Sequence, residues 1–265
     1  MNPLPLRSIR SLYSLALAEG EGMGTAYEYF VKRLVLAPWL AKLARPKRLL
    51  IAGLPEKFGF SLDLLLLGHD MAIPEIVIID ERSSALEGMR RSLAVAQAND
   101  ELIQFEPRSL LVSELDKMTE LTADFGLGLS FGVLQRLDPA PRRGYIERLK
   151  SLTGNFALFA PNADDPSYET IGMAALTLTD FRQLIESVAR IEHSGYIDMP
   201  PWPPGITQSS AQRAHTAGSP FAGLAMSILQ QYARLEKIFP FNWRKRRSHN
   251  LYALMRRSDR FTSPA

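Results

Sequence analysis

From Arg48 onward the apolar residues gather in short unbroken runs: RLLIAG (48–53), EIVIIDE (75–81), LIQFE (102–106), DFGLGLSF (124–131) and NFALFAPN (155–162). Between them lie stretches whose apolar residues recur every three or four positions, among them SLDLLLLGHD (61–70), SSALEGMRRSLAVAQAN (83–99), SLLVSELDKM (109–118) and RRGYIERLKSLT (142–153). A short continuous run predicts a strand buried on both faces, and the recurring pattern predicts an amphipathic helix. Their alternation predicts a parallel sheet covered by helices on each side, a doubly wound α/β domain. Further on, LTLTDFRQLIESV (176–188) reads as a helix capped by a threonine or aspartate, and RIEHSGYID (190–198) as a strand. MPPWPPG (199–205) breaks regular structure, a helical insertion follows over about 221–238, and SHNLYALMRR (248–257) reads as a last strand. Ahead of the sheet, residues 8–47 are helical on both sides of a break at EGEGMG (19–24), with Lys32, Arg33 and Lys42 among leucines. The expected organisation is an N-terminal helical cap over 1–46 and one globular unit over 47–265.

Composition agrees with a single core. A chain of 265 residues with 46% hydrophobic and 22% charged residues can bury a full interior. The absence of cysteine excludes disulfides, thiolate metal sites and cysteine nucleophiles. The four histidines, His69, His193, His215 and His249, are scattered without metal-ligand spacing, so structural or surface roles are expected and no metal site is. A net charge of +3 argues only weakly for an acidic partner, and most of the excess falls in NWRKRRSHN and MRRSDR near the end of the chain. Such a block is ordinarily solvated surface; it can also draw an anionic substrate or a phospholipid surface, while the lack of interleaved aromatics speaks against nucleic acid. Arg7 and Arg10 precede LYSLALA and Ala16-x-Ala18 in the manner of a secretory signal, but the stretch is short, contains Ser14 and follows Pro3 and Pro5. It reads as a cytosolic helix, and the expected location is the cytoplasm. VKRLVLAPWLAKLA (31–44) shows a cationic and an apolar face, which suggests weak association with a membrane surface.

In a doubly wound sheet, ligands bind beyond the carboxyl ends of the strands. Chemistry is therefore expected just after Ile51, Ile79, Phe105, Leu129 and Phe159. The second run ends at Asp80, 27 residues beyond Gly53. A carboxylate there can accept both ribose hydroxyls of an adenosine, or serve only as a cap for the helix SSALEGM; its spacing from Gly53 favours the first.

IVIIDERSSALEGMRRSL (76–93) resembles the second strand and helix of the class I S-adenosylmethionine-dependent methyltransferases, and DFGLGLSFGVLQRLDPAPRRGYIERLKSLTGNFALFAPN (124–162) resembles their fourth strand, its helix and the turn into strand five. The likeness covers nearly half the chain. With SHNLYALMRR as an antiparallel seventh strand, it implies a mostly parallel seven-stranded Rossmann-like sheet, S-adenosylmethionine as cofactor and methyl transfer as activity. It also implies a cofactor site made of Gly53, Leu54, Pro55, Glu56, Lys57 and Gly59 in the first loop, Asp80 and Glu81 after strand two, Glu106 and Ser109 about strand three, and Ser130 and Phe131 after strand four. The first loop departs from the family. Where acid-x-Gly-x-Gly-x-Gly is usual, Ile51 takes the place of the acid and Pro55 and Lys57 those of the second and third glycines. Proline has neither the N–H nor the positive φ that those glycines supply, so Lys57 and Glu56 are candidates to meet the cofactor's carboxylate and its cationic groups. Ser109 stands where an aspartate often receives the adenine amine, with Glu106 a nearby substitute.

Methyl transfer is an in-line displacement that asks for alignment and exclusion of water, with a base only when the acceptor starts protonated, so few residues are obligatory. Two segments can cover the acceptor: EGMGTAYEY with Tyr27, Glu28 and Tyr29, and GYIDMPPWPPG with Tyr196, Asp198 and Trp202. Aromatic faces there can hold a cation. The acceptor expected is a small or lipid-like molecule. The Pro-Pro-aromatic of MPPW resembles the motif of nucleobase amino-methyltransferases but stands some 70 residues beyond SFGV, where that motif belongs. The competing readings are a methyltransferase-like scaffold that has lost its cofactor, and an NAD-dependent oxidoreductase, for which three glycines and a hydride-handling side chain are missing.

Overall fold

The structure, a computed structural model, describes residues 7–55, 57–98, 108–111, 121, 125–166, 174–201 and 220–256. Strands β1 (Arg48–Ala52), β2 (Glu75–Asp80), β3 (Arg108–Leu111), β4 (Leu127–Phe131), β5 (Asn155–Pro161), β6 (Ile191–Ile197) and β7 (Asn250–Arg256) form one sheet in the order β3-β2-β1-β4-β5-β7-β6. The first five are parallel, and β7 runs antiparallel between β5 and β6. The helices are α1 (Arg7–Ser11), α2 (Tyr13–Ala18), α3 (Met23–Leu40), α4 (Leu62–Asp70), α5 (Ser83–Ala98), α6 (Pro139–Leu152), α7 (Leu178–Glu186), α8 (Pro220–Leu235) and α9 (Phe241–Arg247). The seven-stranded, doubly wound architecture expected from the pattern of apolar runs is the one observed.

The runs are unbroken because both faces are covered. In β1, Leu49 and Ile51 join one apolar cluster with residues of α3, α4, α5 and α8, whereas Leu50 and Ala52 join another with α6 and α7. Alternate side chains thus serve opposite layers. Helix α7 begins where its cap residue predicts: the Thr177 hydroxyl accepts from the Asp180 N–H at 3.1 Å.

Two expectations change. Residues 108–111 form β3, in register with Val77–Asp80, where the sequence reads the start of a helix over 109–118: pairing against β2 overrides the helical period there. The run 102–106 read as a strand lies outside the described residues. The second concerns α3, which packs with the other N-terminal helices on the sheet: Ile9, Leu12, Phe30, Leu36 and Trp39 lie in the same cluster as Leu49 and Ile76. Helix α3 therefore has no free cationic face. Lys32 and Arg33 are 6% and 2% exposed, which corrects the reading of VKRLVLAPWLAKLA as a surface for membranes. Arg33 donates from Nε and Nη2 to the two carboxylate oxygens of Asp63 in α4, at 2.7 and 2.9 Å, and from Nη1 to Asp70 at 3.1 Å. No helix among the described residues is long and apolar enough to cross a membrane.

A buried pair of this kind is costly to break from one side only. Replacing Arg33 by leucine leaves the Asp63 charge stranded, and urea denaturation should show a loss of about 3 to 5 kcal/mol, much of it restored by Asp63→Leu in the same chain.

Candidate functional site

At the carboxyl end of β1 the chain turns at Gly53, whose φ is +87° and whose N–H donates to Ile79 O at 2.8 Å. A Cβ at this point would lie 2.3 Å from Phe131 O and 2.5 Å from Val133 Cγ2, so both the backbone angle and the space require glycine. The next N–H, that of Leu54, donates to Asp80 Oδ2 at 2.6 Å. Asp80 is buried at the tip of β2 and accepts five hydrogen bonds in all. The others come from Arg82 N and Nε to Oδ1, both at 2.9 Å, from Arg82 Nη2 to Oδ2 at 3.1 Å, and from Arg136 Nη2 to Oδ2 at 3.3 Å. Arg82 Nη2 also donates to Leu54 O, so that this residue of the loop is held at both its nitrogen and its oxygen. Arg136, in the loop after β4, donates from Nη1 to Gly132 O at 2.9 Å and pairs with Glu81, Nη2 to Oε2 at 3.2 Å. Burial alone would raise the pKa of Asp80; the hydrogen bonds from Arg82 and from the Leu54 N–H, with the charge of Arg136, outweigh it and hold the carboxyl below its ordinary value.

A second polar group stands over β5, β6 and β7. Lys32 of α3 points its ammonium at the rings of Tyr29, Phe131 and Phe159, 4.8, 4.9 and 5.8 Å from their centroids, and pairs with Glu28. Phe131 and Phe159 stack at 5.0 Å. Glu28 also accepts from Asn250 Nδ2 at 3.5 Å, and that amide donates to Asp198 Oδ2 at 3.0 Å. Asp198, buried with φ of +71°, faces His249 Nδ1 at 3.3 Å, while His249 Nε2 lies 3.7 Å from Asp165.

No protein-family model matches this chain, and neither does any curated protein. Solved structures do. A SAM-dependent methyltransferase from Archaeoglobus fulgidus superposes with a TM-score of 0.52 at 10% identity, over 87% of this chain and 94% of that one. An S-adenosylmethionine-dependent methyltransferase from Mesorhizobium loti gives 0.50 at 13% identity, over 86% and 98%. The small RNA methyltransferase HEN1 gives 0.54 at 12% identity, over 91% of this chain and 26% of that one. The fold is that of the class I S-adenosylmethionine-dependent methyltransferases. At these identities the likeness is one of architecture.

On this methyltransferase fold the expected site residues separate into groups. Gly53, Leu54, Asp80 and Glu81 come together at the carboxyl ends of β1, β2 and β4, joined by Arg82 and Arg136, and Pro55 follows Leu54 directly. Lys57 and Gly59 face the N-terminal helices: Lys57 Nζ donates to Gly20 O at 2.5 Å, and a Cβ on Gly59 would lie 2.4 Å from Ala16 Cα. The N–H groups between and beyond them, of Phe58 and Phe60, donate to Glu19 and Glu21 at 2.8 and 2.7 Å, so the hinge EGEG and the first loop brace each other. Ser130 shares a 2.7 Å hydrogen bond with the Tyr145 hydroxyl, and Ser109 lies in β3 opposite Ile78. Tyr27 is fully buried and donates to Glu236; Tyr196 donates to Asp164 at 3.1 Å. Glu28 and Asp198 do come together, through Asn250. Glu56, Glu106 and Trp202 lie outside the described residues. Sequence reasoning missed Arg82, Arg136, Lys32 and Asn250, and gave His249 no place in the site. Only Arg82, two positions after the acid, carried a readable signal.

Burial raises the pKa of Glu21 to about 7, and likewise that of Glu236. Burial lowers that of His249, but the Asp198 carboxylate more than offsets it and the net shift is upward. In each case the folded chain holds a proton that the unfolded chain has released. For the two acids the stabilising difference is fully present below about pH 4.5 and is lost as pH rises through about 7. Asp80 acts in the opposite sense, but below the ordinary carboxylate range. The melting temperature should therefore fall between about pH 5 and pH 8, and Glu21→Gln should reduce the total loss of stability across that range by on the order of 3 kcal/mol at most.

Proposed function

We propose that this chain is an S-adenosylmethionine-dependent methyltransferase acting on a small or lipid-like acceptor. The observation that carries the reading is Asp80: an ionised carboxylate at the tip of β2, bonded to the first N–H beyond the Gly53 turn, in the crevice where this fold accommodates its cofactor. The acid and the glycine are of the kinds an adenosyl ligand requires, but the Asp80 carboxylate is enclosed by its own donors. Arg82 and Arg136 occupy the oxygens that ribose hydroxyls would take, so binding exchanges guanidinium for hydroxyl, and both arginines, roughly a quarter exposed, have solvent to move into. When bound, the cofactor supplies a methyl group on a sulfonium, open to in-line attack.

The residues of the chain then divide the remaining work. Asp80 would orient the ribose, while Phe131 and Phe159 stack on each other under the Lys32 ammonium. The polar group of Glu28, Asn250, Asp198 and His249 orients the acceptor. His249 lies between Asp198 and Asp165 with its pKa raised, so it could receive a proton from an alcohol or amine acceptor only at a pH high enough to leave the imidazole neutral.

A second reading, a methyltransferase-like binding or scaffold protein without cofactor, is favoured by one observation: the Asp80 oxygens already hold five donors. Calorimetric titration with S-adenosylhomocysteine separates the two. Under the first reading the chain binds, Asp80→Asn abolishes binding, and Arg82→Ala, which removes a charge-assisted competitor, tightens it by about tenfold. Absence of heat with the parent chain and with Arg82→Ala alike establishes the second.

A further inference from the structure

Helix α8 carries two apolar stripes. One faces the core through Met226, Leu229 and Ala233, all buried. The other, half a turn away, is formed by Leu224, Ile228 and Leu235, at 58, 60 and 50% exposure, and continues into Ile238 on the following 3₁₀ turn at 70%. Ring contacts from Tyr232 to Phe239 and from Phe239 to Trp243, at 5.6 and 6.5 Å, join it to α9, where Phe241 and Trp243 are 61 and 57% exposed. Of the seven large apolar side chains exposed among the described residues, six lie on this one stretch, so they form a surface and not a scatter.

The charge beside it has one sign. Between residues 220 and 256 the single acid is Glu236, which is buried against Tyr27, while Arg234, Lys237, Arg246 and Arg247 are exposed. We propose that this face docks on an anionic phospholipid bilayer. The aliphatic stripe enters the headgroup boundary, Phe241 and Trp243 sit at its level, and the basic side chains meet lipid phosphates. A second copy of the chain would bring like charges together across the same face. Nucleic acid would match the arginines but leave leucine and isoleucine in water. The inference stands apart from the cofactor reading, and a bilayer-bound chain without methyl transfer is consistent with it.

The test is flotation of the full chain with vesicles of phosphatidylcholine alone, or with about one-third phosphatidylglycerol, at low and high salt. The expected result is flotation with the anionic vesicles only, weakened by salt. Ile228→Ser with Leu235→Ser, and separately Arg246→Glu with Arg247→Glu, should each reduce partitioning by about tenfold or more. All four side chains are exposed, and unchanged circular dichroism and S-adenosylhomocysteine titration would show that the fold and crevice remain. The proposal is overturned if the chain stays unbound to both vesicle types, if the substitutions leave flotation unchanged, or if they instead dissolve a dimer seen by sedimentation without lipid. Capture by single-stranded RNA or an acidic peptide, with no vesicle binding, overturns it equally.

Discussion

The interaction on which the carboxyl end of the sheet depends is the neutralisation of Asp80. An ionised carboxylate withdrawn from water costs several kcal/mol unless donors replace its hydration, and here the donors come from three places in the chain. The first loop gives Leu54 N–H, the turn after β2 gives Arg82, and the loop after β4 gives Arg136. One buried charge therefore fastens the carboxyl ends of three strands together. It also explains how the first loop keeps its path without the usual glycines. Pro55 offers no N–H, but Leu54 is held at its nitrogen by Asp80 and at its oxygen by Arg82, and Gly53 alone supplies the positive φ.

The same logic of matched burial extends outward. Glu19 and Glu21, on the hinge between α2 and α3, accept the N–H groups that precede α4, while Arg33 of α3 meets Asp63 of α4. The N-terminal helices are thus joined to the sheet by apolar packing and by charge. Lys32 belongs to this arrangement: its ammonium lies among three rings at the ends of β4 and β5, beside Glu28.

What could be read from the sequence was what short-range periodicity records. Apolar runs located β1, β2, β4 and β5, and spacing singled out Gly53 and Asp80. Partners brought together across the fold leave no such trace: Arg136 lies 56 residues from Asp80, and Asn250 lies 222 residues from Glu28. The cationic face read on α3 failed for a related reason. A helical pattern of lysine and arginine among leucines looks the same whether the charges meet water or, as for Arg33, a buried carboxylate on a neighbouring helix. At β3 the local period misled: 109–118 has the spacing of a helix, and only pairing with β2 makes 108–111 a strand.

The position of β7 has a consequence for assembly. Among the described residues β6 pairs with β7 and with no other strand, and β7 in turn sits between β6 and β5. During vectorial synthesis, β6 leaves the ribosome with no hydrogen-bonding partner and must wait until the chain through residue 256 has emerged. The five parallel strands can condense earlier, but the last two are added in reverse order, the later-made strand being the wedge that admits the earlier one.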